Sequence, residues 1–242
     1  MHPLRAISLD LDDTLWPIWP VIERAEGALH GYLERHCPQT ALAYPLPVMR
    51  ALREQVALEH PHLAHDFTQQ RLICLERALT SSGDDAAHAF HAFEALFIER
   101  NRVEFYADAL PALDRLGAAL PLAALTNGNA DLQRIGIASR FAVIVAARDV
   151  GVAKPERPIF EHTARALGVA MHEVLHVGDD PLLDVFGAAR AGMRTCWINR
   201  RNEAWPSELE PPDLEFICLG ALADWLDAAV PQGAQSKTAT LP

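Results

Sequence analysis

The sequence predicts an α/β protein in which a Rossmann-like, doubly wound parallel sheet carries an inserted α-helical cap domain. Three observations support this prediction. Short apolar segments alternate with helical patterns in the second half of the chain, polar groups follow four of the segments, and a long helical stretch separates the first segment from the second. With 242 residues, half of them apolar, the chain can bury a sizeable core and is not a disordered or collagen-like polymer.

Six apolar runs are the predicted strands of the sheet. They span residues 6–9, 120–125, 142–147, 174–177, 195–198 and 214–219. Between the later runs, apolar residues recur at helical spacing over 158–167 and 182–191, and Gly168 and Gly192 follow as helix stop signals. This alternation of strand and helix favours parallel strands with helices on both faces of the sheet.

The first two predicted strands are separated by about 110 residues, far more than a strand-to-helix loop needs. Most of this gap has amphipathic helical patterns, over 21–33, 48–58, 68–79 and 86–98, and a further helix over 108–119 leads back to the sheet. We therefore predict a catalytic core of residues 1–15 and 106–230, a helical cap of residues 16–105 and a flexible tail of residues 231–242. Ligands of open parallel sheets bind beyond the carboxyl ends of the strands, so the cap would cover the site.

The segment Asp10-Leu11-Asp12-Asp13-Thr14 directly follows the first predicted strand. Carboxylates placed this close repel one another unless a cation binds, and Mg²⁺ prefers oxygen ligands. The alternative is a surface turn followed by a helix N-cap, since both features use Asp and Thr.

Two further polar segments follow the second and third predicted strands. Thr126 and Asn127 offer a hydroxyl and backbone N–H groups that can bind phosphoryl oxygens, although Asn127-Gly128 is also a common turn sequence. Lys154, which precedes Pro155, could supply positive charge to the acids and to a phosphoryl group. The alternative for Lys154 is a solvated loop side chain.

Gly178 and Asp179 end the fourth predicted strand, and Asp184 lies near the start of the next helix, where it could face Asp179. The alternative is that Asp180 caps this helix and that Asp184 lies in its first turn, which the helix dipole favours. Independent turns would not need to converge on one edge of one sheet. The four polar segments, each at a strand end, therefore predict a single site.

These segments closely resemble the four motifs of the haloacid dehalogenase superfamily of phosphotransferases. The matching residues, in chain order, are Asp10-x-Asp12-x-Thr14, Thr126, Lys154 and Gly178-Asp179 with Asp184. The resemblance extends from about residue 7 to residue 198. It implies a Rossmann-like core with a helical cap inserted after the first strand, in agreement with the prediction from periodicity.

The resemblance also implies catalytic and metal-binding roles for the carboxylates. Asp10 is expected to be the nucleophile that forms an aspartyl-phosphate, and Asp12 the general acid and base. The expected cofactor is Mg²⁺, held by the Asp10 carboxylate, the backbone carbonyl of Asp12 and Asp179, with Asp184 in support.

Binding of the phosphoryl group is implied for the remaining motif residues. Thr126 and the backbone of Asn127 are expected to bind its oxygens. Lys154 is expected to neutralise both the phosphoryl group and Asp10. Hydrolysis of phosphate monoesters needs acceleration of up to ~10²¹-fold, which favours metal, lysine and fixed donors acting together.

Position 12 distinguishes activities within this superfamily. Dehalogenating members lack the second aspartate because a halide leaving group needs no proton, so Asp12 favours phosphoryl transfer. A phosphatase of a sugar phosphate or nucleotide, a phosphomutase, a dehalogenase and a non-catalytic binding protein remain alternatives. Residues 176–180, 192–198 and 65–71 further resemble a bacterial branch that dephosphorylates flavin mononucleotide and the phosphorylated ribitylaminouracil precursor of riboflavin.

Charge and composition limit the partners. The formal net charge of −11 argues against nucleic-acid binding, and the lack of an 18-residue apolar run argues against a membrane partner. No protein partner is implied, and a small phosphorylated metabolite is the expected ligand. The four cysteines form no C-x-x-C pair, and acids follow the first strand where a signal peptide needs an apolar run, so we expect reduced thiols in a cytoplasmic protein.

Several side chains of the predicted cap have weaker signals. His60, His62 and His65 match no zinc signature, and we expect solvated or core histidines. Arg71 could reach a substrate, but a solvated position on the helix face is the expectation.

Trp16 and Trp19 directly follow the first strand. We expect them to pack between core and cap. The alternative is an aromatic wall for a ring-bearing substrate.

Overall fold

Six parallel strands form one sheet in the computed structural model, which describes residues 3–229. They are β1 (Ala6–Leu9), β2 (Leu122–Thr126), β3 (Val143–Ala146), β4 (Val174–Gly178), β5 (Arg194–Ile198) and β6 (Leu214–Phe216). Their order is β3-β2-β1-β4-β5-β6, the arrangement of a doubly wound sheet whose order reverses between β1 and β4. The predicted fold class is confirmed, and ligands are expected at this reversal point.

The helices of the described chain are α1 (Ile18–His36), α2 (Pro38–Ala43), α3 (Leu46–Glu59), α4 (Phe67–Ser82), α5 (His88–Arg100), α6 (Ala109–Ala119), α7 (Leu132–Ile135), α8 (Ala147–Val150), α9 (Arg157–Leu167), α10 (Gly187–Ala191) and α11 (Leu219–Ala229). Four of the first five match predicted helices. The six residues of α2 are too few to show a helical repeat, so the sequence does not predict them. No helix of the described residues is long and apolar enough to cross a membrane.

The sheet separates two hydrophobic clusters. Ile7 and Leu9 pack with residues of α6 and α11, whereas Ala6 and Leu125 pack with residues of α9 and α10. This is the alternation expected of a strand covered on both faces, because successive side chains point to opposite sides. The core of the α/β unit therefore holds the carboxyl ends of the strands in a fixed arrangement.

The helices α1 to α5 have a hydrophobic cluster of their own. Its buried residues fall between Ala25 and Phe97, and it shares no member with the two clusters at the sheet. This separation supports the cap of residues 16–105 and the core of residues 1–15 and 106–230 as a proposed division. The predicted tail, residues 231–242, lies outside the described residues.

The predicted helix over residues 182–191 is wrong in detail. Residues Pro181–Phe186 form a π-helical turn, and only Gly187–Ala191 are α-helical. Wide turns of this kind are frequent at functional sites. The last predicted strand also ends early, at Phe216 rather than residue 219, because Leu219 begins α11.

Candidate active site

Asp10 is the first residue beyond β1 and is only 6% exposed. Its backbone N–H donates to the carbonyl of Val177 at 2.8 Å, which continues the pairing of β1 with β4. The chain then turns, and Asp13 adopts the left-handed backbone conformation that Asp tolerates better than most residues. The turn places the hydroxyl of Thr14 where it donates to Asp179 Oδ1 at 3.2 Å and Asp10 Oδ2 at 3.4 Å.

Lys154 lies between α8 and α9 and brings a positive charge to this carboxylate. Its Nζ donates to Asp10 Oδ1 at 2.5 Å, to Asp184 Oδ1 at 2.6 Å and to the carbonyl of Leu125 at 3.1 Å. All three ammonium hydrogens therefore have partners, and the residue is buried. Burial alone would lower the pKa of Lys154, but Asp10 and Asp184 outweigh it and raise the pKa. The alternative of a solvated lysine is excluded.

Asp184 lies in the π-helical turn and is buried. Besides the bond from Lys154, Oδ1 lies 3.2 Å from Nε2 of His176, and Oδ2 accepts the backbone N–H of Asp180 at 3.1 Å. Ser8 Oγ lies 2.7 Å from His176 Nδ1, so the hydrogen bonds continue into β1. Burial opposes ionisation of Asp184, but Lys154 and His176 outweigh it and hold its pKa well below the ordinary value.

The end of β4 requires glycine. A Cβ on Gly178 would overlap the carboxyl group of Asp184, so no other residue allows this close approach. Asp180 caps the following turn, because its Oδ1 accepts the backbone N–H groups of Leu182 and Leu183, each at 2.8 Å. The N-cap role is confirmed for Asp180, whereas Asp184 turns inward to Lys154.

Three carboxylates meet where the strand order reverses. Asp10, Asp179 and Asp184 each offer an oxygen, and these oxygens lie within 4.8 Å of one another. Burial raises the pKa of Asp10 to about 7, although Lys154 acts in the opposite direction, and burial together with Asp10 raises the pKa of Asp179 to about 9. Ionised carboxylates are unfavourable at this density without a cation, so the three residues could bind a metal ion.

Asp12 is held by the cap rather than by the carboxylate cluster. Arg100, the last residue of α5, donates through Nη2 to Asp12 Oδ1 at 2.9 Å and to Oδ2 at 2.7 Å, and Trp16 Nε1 donates to Oδ1 at 2.8 Å. A Cβ on Gly128 would lie 2.7 Å from Asp12 Oδ2, so glycine at that position leaves room for the carboxylate. The second acid of the motif therefore lies between core and cap.

Thr126 and Asn127 order the loop that follows β2. Thr126 Oγ1 accepts the backbone N–H of Gly128 at 2.9 Å, so its own hydrogen remains to be donated. The Asn127 side chain binds Lys154 twice, accepting its backbone N–H at 2.7 Å and donating to its carbonyl at 3.0 Å. This side chain ties two loops together, which leaves the Asn127 backbone for the predicted ligand contact.

Two residues of the site escaped the sequence analysis. Arg100 lies two residues beyond the predicted helix 86–98, and a charged residue at a helix end does not by itself indicate burial. The helical pattern continues to Arg100, and this continuation could have placed the residue on the same helix. His176 is the one polar residue in the apolar run 174–177, and that isolation was a signal for a buried hydrogen bond.

Some expectations for the cap are wrong. Arg71 is not solvated but buried, with 9% exposure. Trp16 packs as expected, against Phe105 with ring centroids 5.5 Å apart, whereas Trp19 is 66% exposed and packs little.

The three cap histidines match the expectation of solvated side chains: His62 is exposed, and His60 and His65 are partly so. They join no potential metal-binding group among residues 3–229. The four cysteines, Cys37, Cys74, Cys196 and Cys218, are free.

Two cavities border the carboxylates. The smaller, about 240 Å³, is lined by Trp19, Tyr106, Asp179 and Arg200, among others. The larger, about 400 Å³, lies between the cap helices and the loop after β2; its lining includes Asp12, Arg53, Phe67, Arg71, Phe93 and Arg100. We call the larger one the cap cavity. It places cap arginines beside Asp12.

Comparison with known proteins agrees with this geometry. Residues 4–192 match the protein family described as haloacid dehalogenase-like hydrolase. The chain is 33% identical over 227 residues to the 5-amino-6-(5-phospho-D-ribitylamino)uracil phosphatase YigB of Escherichia coli (strain K12), covering 90% of this chain and 94% of that protein. It is 40% identical over 131 residues to a phosphoserine phosphatase of Thermus thermophilus, covering 51% of this chain and 52% of that protein.

A solved structure extends the comparison to the whole fold. The crystal structure of a 2-haloacid dehalogenase from Pseudomonas syringae pv. Tomato DC3000 superposes with a TM-score of 0.87 at 33% identity, covering 94% of this chain and 100% of that one. Phosphatases and dehalogenases are thus both similar to this chain. From the family match and these similarities, the chain belongs to the haloacid dehalogenase-like hydrolases.

Proposed function

We propose that the protein is a magnesium-dependent phosphatase that hydrolyses a small phosphomonoester through an aspartyl-phosphate on Asp10. The observation that carries this proposal is the pairing of two differently placed carboxylates. Asp10 is buried against Lys154 and Asp179, and Asp12 lies beside it on the cavity that faces the cap. Phosphoryl transfer needs both a nucleophile and a proton donor for the leaving oxygen.

The residues present fit Mg²⁺. The donors are oxygen atoms, which this hard cation prefers, and burial raises the pKa values of Asp10 and Asp179, so a bound cation would favour their ionised forms. Asp10, Asp179 and the Asp12 backbone carbonyl would hold the ion. Asp184, which accepts from Lys154 at 2.6 Å, would support the site by positioning that lysine. Bound magnesium would offset the negative charge of the phosphoryl oxygens.

The first chemical step joins Asp10 to phosphorus. One carboxylate oxygen attacks, the bond between phosphorus and the alcohol oxygen breaks, and Asp12 gives that oxygen a proton. Lys154, the Thr126 hydroxyl and the Asn127 backbone N–H bind the phosphoryl oxygens. Because Arg100 binds both oxygens of Asp12, donation of the proton requires this ion pair to open.

The second step restores the enzyme. Water attacks the phosphorus of the aspartyl-phosphate, its proton passes to Asp12, and the bond to Asp10 breaks to release inorganic phosphate. Asp12 thus ends the cycle carrying the proton that the next leaving group takes. The same residue serves as acid and base because the two steps need opposite proton transfers.

The substrate that we propose is a cytoplasmic small metabolite, either flavin mononucleotide or 5-amino-6-(5-phospho-D-ribitylamino)uracil. The second compound appears in the name of the E. coli relative, which aligns over most of both chains. The cap cavity of about 400 Å³ is large enough for a drug-sized leaving group.

Dehalogenation is the second candidate, favoured by the similarity to the Pseudomonas syringae structure. Asp12 argues against it, since a halide leaves without a proton. A turnover screen separates the two candidates. The purified protein with Mg²⁺ is offered flavin mononucleotide, sugar phosphates, nucleotides and chloropropionate, and released phosphate and chloride are measured.

Phosphate release that EDTA abolishes is the expected result of this screen. Chloride release without phosphate release would replace phosphatase by dehalogenase. Transfer of the phosphoryl group to a second sugar hydroxyl, instead of to water, would indicate a phosphomutase. Release of neither product across the panel would contradict the proposal.

A further inference from the structure

We propose that the cap cavity binds the leaving group of the substrate and that Arg71 selects phosphomonoesters whose alcohol portion carries an apolar ring with carbonyl oxygens. This inference rests on the proposed phosphatase function and names the substrate class that the cap accepts.

Arg71 is a buried cation whose donors are not used by any residue that the structure describes. It lines the cap cavity at 9% exposure, and within residues 3–229 its side chain forms no hydrogen bond or ion pair. Burial, with some repulsion from Arg53, outweighs the attraction of Glu26 and lowers the pKa of Arg71 to about 10, so the guanidinium is charged at neutral pH. A desolvated charge with unused donors is costly to keep, and a ligand that accepts from it would offset the cost.

Arg100 provides an independent second observation. Its Nη2 holds Asp12, but its Nη1 is buried and has no hydrogen-bond partner. Arg100, Arg71 and Asp12 all line the same cavity. A leaving group in that cavity would therefore lie beside the acid that protonates its oxygen, and the N–H groups of Arg71 would be available to its acceptors.

The remaining lining favours a neutral ring over a second anion. Phe67, Phe93 and Leu96 supply apolar surface, and about 400 Å³ exceeds the needs of a short acidic chain. Glu54 also lines the cavity and would repel a carboxylate. Arg53 is already paired with Glu26 at 3.6 Å. Ring carbonyl oxygens can accept from Arg71 without adding charge next to Glu54.

The test compares Arg71→Met with a matched control on the same helix. Arg77 is also in α4, but it pairs with Glu59 at 2.7 Å and does not line the cap cavity, so Arg77→Met should leave selectivity unchanged. The substrates are flavin mononucleotide, naphthyl phosphate, which has a ring without carbonyl groups, and phosphoserine, which has a carboxylate without a ring. Mg²⁺ is present throughout.

We expect Arg71→Met to lower kcat/KM for flavin mononucleotide at least about tenfold and to change it less than about twofold for naphthyl phosphate. Thermal unfolding should show no loss of stability, because Arg71 makes no hydrogen bond or ion pair within residues 3–229 that the substitution would remove. Equal losses on both ring substrates, no loss on either, or a loss confined to phosphoserine would overturn the inference. So would a wild-type protein that does not prefer flavin mononucleotide to naphthyl phosphate.

Binding of riboflavin, followed by its fluorescence, separates this inference from the proposed function. We expect the wild type and Arg77→Met to bind it equally and Arg71→Met to bind at least about tenfold more weakly. If binding follows this pattern but no phosphate is ever released, the subsite stands and the phosphatase proposal fails. If flavin mononucleotide is hydrolysed while Arg71→Met behaves like the wild type, the phosphatase proposal stands and the subsite proposal fails.

Discussion

The strand-end cluster and the cap cavity handle buried charge in opposite ways. In the cluster, every hydrogen of the Lys154 ammonium group has an acceptor, and both oxygens of Asp184 are bonded. In the cavity, Arg71 makes no hydrogen bond or ion pair with any described residue, and one nitrogen of Arg100 is unpaired in the same part of the chain. A fully paired network is rigid and suits a reaction whose geometry is constant. Unpaired donors remain available, which suits a surface that recognises a ligand.

Asp10→Asn is expected to have the largest effect on the strand-end cluster. The amide has nearly the same shape but cannot attack phosphorus, so turnover should fall by at least about 10⁴-fold while the fold persists. Phosphate release and thermal unfolding measure the two effects. Residual turnover above about 1% of the wild type would mean that another group is the nucleophile. The strand-end cluster would then not be the catalytic region.

Lys154→Met removes the central cation of the same network. Asp10 and Asp184 would lose the cation that offsets their charge and the hydrogen bonds it donates, so we expect a loss of about 3–5 kcal/mol in the free energy of unfolding, together with loss of turnover. Urea unfolding without metal measures it. Arg77→Met, which removes a partly exposed ion pair, should cost less than about 1 kcal/mol. Similar losses in both variants would contradict the description of a tightly coupled network.

Asp12→Ala alters the carboxylate that lies between the strand-end cluster and the cap cavity. Turnover should fall about 10²–10⁴-fold because the leaving oxygen loses its proton donor. Magnesium affinity should change little, since Asp12 is proposed to contact the ion through its backbone. Calorimetric titration with Mg²⁺, with Asp179→Ala alongside, checks this. An equal loss of affinity in both variants would assign the Asp12 side chain to the metal.

The last predicted effect concerns pH and the metal-free protein. The folded pKa values of Asp10, about 7, and Asp179, about 9, lie above the ordinary 3.8, so the folded chain retains protons that the unfolded chain has released. Stability from these groups therefore falls as pH rises from about 4 to 9, and Mg²⁺ should bind up to about tenfold more tightly per pH unit for each proton displaced.

Urea unfolding between pH 5 and pH 9, in EDTA and in Mg²⁺, measures this linkage over the window set by the two carboxyls. Asp179→Asn should flatten the curve in EDTA, because the amide does not titrate. A rise in metal-free stability with pH that this substitution leaves unchanged would show that other groups dominate.

The sequence predicts the strand-end cluster well because the signals there are local. Asp10, Thr126, Lys154 and Asp179 each follow an apolar run, and parallel strands bring such positions to one edge. The π-helical turn that moves Asp184 inward could not be foreseen, since its apolar spacing resembles that of an ordinary helix. The shift depends on contacts with Lys154 and His176, which lie 30 and 8 positions away in the chain and belong to other elements.

The cap cavity was largely beyond prediction. Arg100 pairs with Asp12 across 88 positions in the chain, and nothing in the helical pattern of 86–98 indicates which face meets the core. Arg71 resembles any charged residue on an amphipathic helix, and only the packing of α4 against its neighbours shows that it is buried. Features that depend on how helices pack have no local signature.

Gly178 has a consequence that is independent of turnover. A single methyl group at that position would occupy the space of the Asp184 carboxyl, displace the acceptor of Lys154 and loosen the anchor of Asp10 in one change. A homologue without hydrolytic activity would still need glycine at this position if it kept Asp184. A glycine at this position therefore indicates only that the Asp184 side chain must fit there. The neighbouring aspartates indicate whether the protein can catalyse hydrolysis.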